Sequence, residues 1–252
     1  MKKHLIFILF FSVYSPGIFA QSAKEILQWA VAASGGNLWQ QPESLELHGT
    51  ALFTPFGKTD TSHQKQLDTY SMYRIFPGES KAAHQANGKI RFDAAAGEQV
   101  FMQLIFDGSK TQNKLSEAAR PYREHFSWSN NFGFGIIRFA DRDSFLVERL
   151  TDELNDGIPC YTVQITDPKK MITVFQIDKK NHLIRGVSFS TTVGYHHRIY
   201  SDFKKIKVGD RFFMQPGRVR LFFDGVRWMD IHWQKHRVNE PISDDVFSLV
   251  KQ

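Results

Sequence analysis

Residues 171–247 read MITVFQIDKKNHLIRGVSFSTTVGYHHRIYSDFKKIKVGDRFFMQPGRVRLFFDGVRWMDIHWQKHRVNEPISDDVF. This stretch decides the fold. It divides into five predicted strands: 171–178, 183–191, 196–205, 211–223 and 227–238. Turn signals stand between them at Lys179-Lys180-Asn181, Val208-Gly209-Asp210 and Asp224-Gly225. Strands joined by short turns pair as antiparallel neighbours. A meander of this length twists and curves, so its concave face needs an apolar cover. Pro216-Gly217, inside one of these strands, marks an edge, a bulge or a bend.

The remaining chain adds the cover and more sheet. Residues 23–33 carry an apolar stripe at helical spacing (Ile26, Leu27, Ala30, Val31, Ala33). Ser22 and Glu25 form a capping box in front of this helix, and Gly35-Gly36 ends it. Trp39 and Pro42 follow in what reads as a short loop. Residues 45–53 alternate, with Leu45, Leu47, Gly49, Ala51 and Phe53 on one face and Glu46, His48 and Thr50 on the other. The strand 68–76 places Tyr70, Met72, Arg74 and Phe76 on one side. The strands 89–93 and 99–106 follow, the second apolar on both faces and so covered on both. Strands 144–151 and 160–166 meet at the hairpin signal Asn155-Asp156-Gly157. Ser243 caps a short closing turn anchored by Phe247. In all, about eleven antiparallel strands are predicted, in one domain over residues 21–252.

From Leu115 to Asp141 the strand alternation stops. This segment holds Tyr122, Phe126, Trp128, Phe132, Phe134, Ile136, Ile137 and Phe139. So many large apolar groups in an insertion must pack on something. We place the segment over the mouth or concave face of the sheet, as a fixed plug or a mobile lid.

The N-terminus carries a positive start (Met1-Lys2-Lys3-His4), a short apolar run and Ala20 before Gln21, the pattern of a cleavable export signal over residues 1–20. The apolar run is too short to anchor the chain in a bilayer. The expected location is the periplasm. The chain has net charge +6, and removal of the first 20 residues leaves 30 basic against 26 acidic side chains. The charges are interspersed. That mild excess argues against nucleic-acid binding and leaves room for peripheral contact with an anionic membrane. Cys160, the single cysteine, cannot form an internal disulfide and reads as a small buried residue.

No catalytic or metal signature emerges. His196 and His197 are adjacent and face opposite sides of a strand. His232 and His236 share a face about 13 Å apart, too far for one zinc ion. No Gly-x-Ser-x-Gly elbow and no phosphate-cradling glycine loop is present. No metal and no cofactor is expected. The 23 phenylalanines and five tryptophans fit either a packed core or a greasy cavity.

Several segments together resemble the LolA/LolB-like superfamily of periplasmic lipoprotein carriers and RseB-type sensors. They are the helix ending Ala33-Ser34-Gly35-Gly36 with Leu38-Trp39 after it, the segments 161–166 and 175–178, Tyr200-Ser201-Asp202-Phe203, and the C-terminal run 238–247. The resemblance implies an α+β fold, mainly β: an antiparallel curved sheet forming an unclosed β-barrel covered by helices. It also implies a non-enzymatic monomer that binds a lipid or a lipoprotein acyl chain in its concavity. The weighed lining residues are Phe101, Leu104, Phe106, Phe132, Phe134, Phe189 and Phe222, with Trp128 at the mouth. The alternatives are an envelope protein partner docked on the sheet, or a hydrolase of envelope lipids or glycans built on a pair such as His196 and Asp202.

Overall fold

The computed structural model describes residues 21–55, 61–76, 88–108, 110–113, 136–141, 144–191 and 194–248. Residues 1–20, read above as an export signal, and Trp128, Phe132, Phe134 and most of the aromatic insertion lie outside the described residues. The helices are α1 (Ala23–Ser34) and α2 (Asn37–Gln40). The strands are β1 (Ser44–Phe53), β2 (Lys65–Ile75), β3 (Lys89–Ala96), β4 (Gln99–Phe106), β5 (Thr111–Asn113), β6 (Leu146–Arg149), β7 (Glu153–Asn155) and β8 (Ile158–Thr166). They continue with β9 (Ile172–Asp178), β10 (Ile184–Thr191), β11 (Gly194–Ser201), β12 (Lys204–Val208), β13 (Arg211–Gln215), β14 (Arg218–Phe223) and β15 (Val226–Val238). Fifteen strands among the described residues replace the expected eleven: the predicted strands 196–205 and 211–223 are each broken in two, and β5 and β7 are additional.

Twelve strands run in the order β5-β4-β3-β2-β1-β15-β14-β11-β10-β9-β8-β6, and β7 pairs with β8 off this path. Every pairing is antiparallel. The two edges, β5 and β6, do not pair with each other, so the barrel is open. At the centre β1 pairs with β15 over nine residue pairs, which joins the first and last strands of the chain.

The C-terminal meander is interrupted, against the sequence expectation. Residues 196–205 and 211–223 are not single strands. β11 pairs directly with β14, and β12 and β13 leave the sheet as a separate two-stranded ribbon. The corners explain this. Pro216 has no N–H to offer a ladder. Gly217 N–H donates to the carbonyls of Ser201 and Asp202, and a Cβ on Gly217 would sit 2.3 Å from the Asp202 oxygen. Asp202 turns the chain with φ 53°. The ribbon then folds back to meet α1, α2 and β15.

Among the described residues the cover therefore includes two helices and a β-ribbon. α1 carries the full capping box: Ser22 N–H donates to Glu25 Oε2 (2.9 Å), and Glu25 N–H donates to Ser22 Oγ (3.2 Å). α1 ends at Gly35, φ 130°, which lies so close to the Phe212 carbonyl that a Cβ there would stand 2.3 Å from its oxygen. Trp39 sits in the one-turn helix α2, not in a loop, and is fully buried. Ile26, Leu27 and Ala30 of α1 join Phe213 of the ribbon and the inner faces of β8, β9 and β10 in one core.

Gly49 shows how the sheet bends. The β1–β15 register slips between His48 and Gly49, and the β1–β2 register slips between Gly49 and Ala51. Gly49 lies between Trp233 and Tyr70 on the neighbouring strands, and those two rings approach to 5.4 Å between centroids. A Cβ at Gly49 would stand 1.9 Å from the His232 carbonyl oxygen. Gly49→Ala is expected to lose about 3 kcal/mol of stability, the upper range for overpacking against unyielding atoms. Urea unfolding measures it, and a loss below about 1 kcal/mol would mean the bulge is pliable. The slip in β15 also corrects the histidine reading. His232 opposes Thr50 and His236 opposes Leu47, so the two histidines lie on opposite faces.

The convex face is polar and ion-paired. Arg218 grips Asp230 through two bonds (2.8 and 2.7 Å). The closing turn Asp244–Phe247 packs on β3, where Arg91 Nη1 donates to the Val246 carbonyl and Lys89 pairs with Asp244. Phe247 is buried there. Cys160 is fully buried, and burial, with the Asp178 charge, pushes its thiol up to about 11.

Asp178 ties the β9–β10 turn. Burial pushes its pKa up, but N–H bonds from Lys180 and Asn181 and the Arg185 guanidinium outweigh it and hold the carboxyl below the ordinary carboxylate value. A depressed folded pKa contributes stability that is present above the unfolded value near 4 and is lost as pH falls through the folded one. Asp178→Asn is expected to cost about 1–3 kcal/mol at pH 7. It should also flatten the acid limb of the stability curve below about pH 4. Unfolding midpoints taken from pH 7 to pH 2 test this, and an unchanged acid limb would refute the assignment.

Candidate functional site

Between the sheet and its cover lies a partly enclosed cavity of about 180 Å³. Alternation on the strands builds its apolar wall. β1 contributes Leu45 and Leu47; β2, Tyr70 and Met72; β3, Phe92; β4, Met102 and Leu104; β14, Val219 and Leu221; and β15, Trp228, Ile231 and Trp233. For scale, an engineered apolar cavity of about 150 Å³ stays dry and takes up benzene. The space thus accepts a ring or a few carbons of a chain, and a longer ligand extends beyond it.

Polar groups enter the same space at named places. On β11 the residues His196, Arg198 and Tyr200 are two apart, so all three face inward. Arg198 Nε donates to His196 Nε2 at 2.7 Å. A guanidinium can only donate, so His196 accepts with Nε2 and is neutral, with its proton on Nδ1. Tyr200 is buried, which raises its phenol above the ordinary value despite the nearby Arg198 and Arg138. Arg74 enters from β2, Gln215 and Pro216 from the ribbon, and Arg138 from the single-turn helix Ile136–Phe139. Arg138 Nε donates to the Trp39 carbonyl (2.8 Å), and its guanidinium lies 4.6 Å from the Trp39 ring centre. Arg138 belongs to the C-terminal end of the aromatic insertion, and this end does reach the concave face.

The residues weighed from sequence are placed as follows. Leu104 lines the cavity. Phe101 and Phe189 end a continuous chain of ring contacts, Phe101–Phe53–Trp228–Phe223–His196–Phe189, with centroids 4.5–5.9 Å apart. His196 and Trp228 of that chain are lining residues; Phe101 and Phe189 stand behind them. Phe106 is buried in the core outside the lining. Phe222 is placed on the opposite face, where it meets the ring of His197. Its neighbours Leu221 and Phe223 point inward, because side chains alternate along a strand. Trp128, Phe132 and Phe134 lie outside the described residues.

Sequence reasoning does not single out the three arginines, Tyr200 or the inner tryptophans as lining residues, and names His196 only in a pair with Asp202. A signal was present for the arginines: Arg74 stands on the apolar Tyr70–Met72–Phe76 face of its strand. His196 and Asp202 do not form a pair. Asp202 is exposed at the corner beyond β11, about 20 Å along the chain from His196 by strand rise. No aspartate, glutamate, serine or cysteine is among the described residues that line the cavity. Among the described residues there is no group of three metal-ligating side chains, and no helix is long and apolar enough to cross a membrane.

No protein-family model matches the chain, and no curated protein matches it in sequence. Solved structures do match in shape. A DUF1329 family protein from Desulfovibrio piger is 15% identical, with 91% of this chain and 98% of that chain covered, at a TM-score of 0.52. A putative outer membrane lipoprotein-sorting protein domain from Vibrio parahaemolyticus is 10% identical, with 90% and 95% covered, at 0.50. A LolA superfamily protein from Nitrosomonas europaea is 14% identical, with 91% and 99% covered, at 0.45. At these identities the likeness is one of fold, and the chain is similar in architecture to the lipoprotein-sorting type of open half-barrel.

Proposed function

We propose that this protein is a non-enzymatic binding protein of the bacterial periplasm that takes the alkyl part of a lipid or lipoprotein acyl chain into its half-barrel. The observation that carries the reading is the cavity between sheet and cover, walled by aliphatic and aromatic side chains from six strands. Each methylene moved from water into such a wall contributes about 0.8 kcal/mol. The lining holds, among its described residues, no aspartate, glutamate, serine or cysteine. The fold shared with a putative lipoprotein-sorting domain and the signal-like N-terminus support the same reading.

Uptake of the apolar fluorophore N-phenyl-1-naphthylamine by the purified protein tests it, together with native mass spectrometry of protein isolated from periplasm. The expected result is saturable fluorescence that an added fatty acid displaces, or a co-purifying acyl species. No uptake and no bound species would remove the reading. Weight would then move to docking of a protein partner, for which Leu146, Leu154 and Ile172 offer exposed apolar groups near the free edge at β6.

A further inference from the structure

The cavity holds more positive charge than a carrier of plain hydrocarbon would need. Arg74, Arg138 and Arg198 come from three separate elements and converge on one apolar space, and no carboxylate stands among its described lining residues. Each guanidinium rests on aromatic faces. Arg74 and Arg138 lie 4.7 and 4.9 Å from the Phe76 ring centre, Arg138 also covers Trp39, and Arg198 lies 5.7 Å from that of Phe189. Burial pushes Arg74 down to about 10, with the charge of Arg198 adding to the effect. Burial likewise pushes Arg138 down to about 9, with Arg74 adding to it. Arg198 thus loads Arg74, and Arg74 loads Arg138. Arg74 and Arg138 make other contacts as well, yet the net effect on both still disfavours their charge.

An alkyl chain gains nothing from this arrangement. An oxyanion gains a great deal, because a guanidinium fork matches a carboxylate or phosphate with paired, charge-assisted bonds. The low-dielectric surroundings strengthen that attraction. His196, held neutral by the bond from Arg198, orients one fork without cancelling its charge.

We propose that the ligand is an amphiphile with an oxyanion head, a carboxylate or a phosphate, bound among Arg74, Arg138 and Arg198. Its chain lies on the wall of Met72, Leu104, Leu221 and Trp233. This rests on the apolar-ligand reading above and adds the chemical class of the head.

The test is calorimetric titration of the purified protein at neutral pH with decanoate, decyl phosphate, decanol and inorganic phosphate. One or both anionic amphiphiles are expected to bind roughly ten- to hundredfold tighter than decanol, the scale of charge-assisted hydrogen bonds. Inorganic phosphate is expected to bind far more weakly than decyl phosphate. Arg74→Gln and Arg198→Gln should each lose most of that preference while still binding decanol, which also shows that they are folded. Arg198→Lys, which keeps the charge without the fork, should retain part of it. Equal binding of all three amphiphiles would overturn the head assignment and leave the apolar cavity standing. Inorganic phosphate binding as tightly as decyl phosphate would overturn it in favour of a free anion. No binding of any chain would overturn both readings. The order of decanoate and decyl phosphate tells a fatty-acid head from a phospholipid-type one.

Discussion

Trp39→Ala lowers the unfolding free energy by about 3–5 kcal/mol, the range for emptying a large buried side chain, and it is the most damaging substitution expected here. Trp39 is fully buried where α2 closes over the core. It does two jobs there. Its ring fills the space between the cover and the sheet, and its face and carbonyl hold the Arg138 guanidinium. Alanine leaves a cavity and removes the aromatic partner of a buried cation, which adds to the loss. For a chain of this size each kcal/mol moves the midpoint by about 2–4 °C, so a drop of roughly 10 °C is expected. Trp29 is the control. It is only half-buried, stacking on His182 with ring centroids 4.9 Å apart, and Trp29→Ala should cost clearly less. Chemical denaturation of both variants measures the difference, and equal losses would show that α2 is not the keystone of the cover.

Leu221→Trp should weaken uptake of an apolar probe more than tenfold with little change in stability. Leu221 lines the cavity from β14, between Arg198 on β11 and Met229 on β15. A larger side chain grows into space that is already there, so overpacking strain stays within about 1–2 kcal/mol. The loss of binding follows from volume. Excluding only two methylenes of a chain forfeits about 1.6 kcal/mol, more than a factor of ten. Probe titration and urea unfolding must be run on the same preparation. Unchanged uptake in a stable variant would place the ligand elsewhere. Phe222→Trp, on the convex face, should leave uptake untouched.

Leu104 lies in the lining, in phase with Met102 on its strand. Phe222 lies out of phase with Val219 and Leu221, so alternation puts it on the other face. The arginines were legible by the same alternation. Arg74 sits in phase with Tyr70 and Met72, and Arg198 sits in phase with His196 and Tyr200. A charged residue in phase with an apolar face is a buried cation or a site. Arg138 was not legible, since no strand or long helix carries it. Its place depends on Trp39 and Phe76, which are 99 and 62 positions away.

The sequence by itself determined the antiparallel, mainly β class, the capped first helix, the turns at Asn155-Asp156-Gly157 and Asp224-Gly225, and the burial of Cys160. Each of these follows from local chemistry: side-chain period, aspartate and glycine at positive φ, and capping hydrogen bonds. Tertiary structure alone decided three things. The first strand pairs with the last, the β12–β13 ribbon leaves the sheet to become cover, and three arginines from distant segments meet in one apolar space. The reason is physical. Local preferences set the conformation of a few neighbouring residues, whereas strand order and the meeting of remote side chains are set by which apolar faces can be buried together. That depends on the whole chain at once.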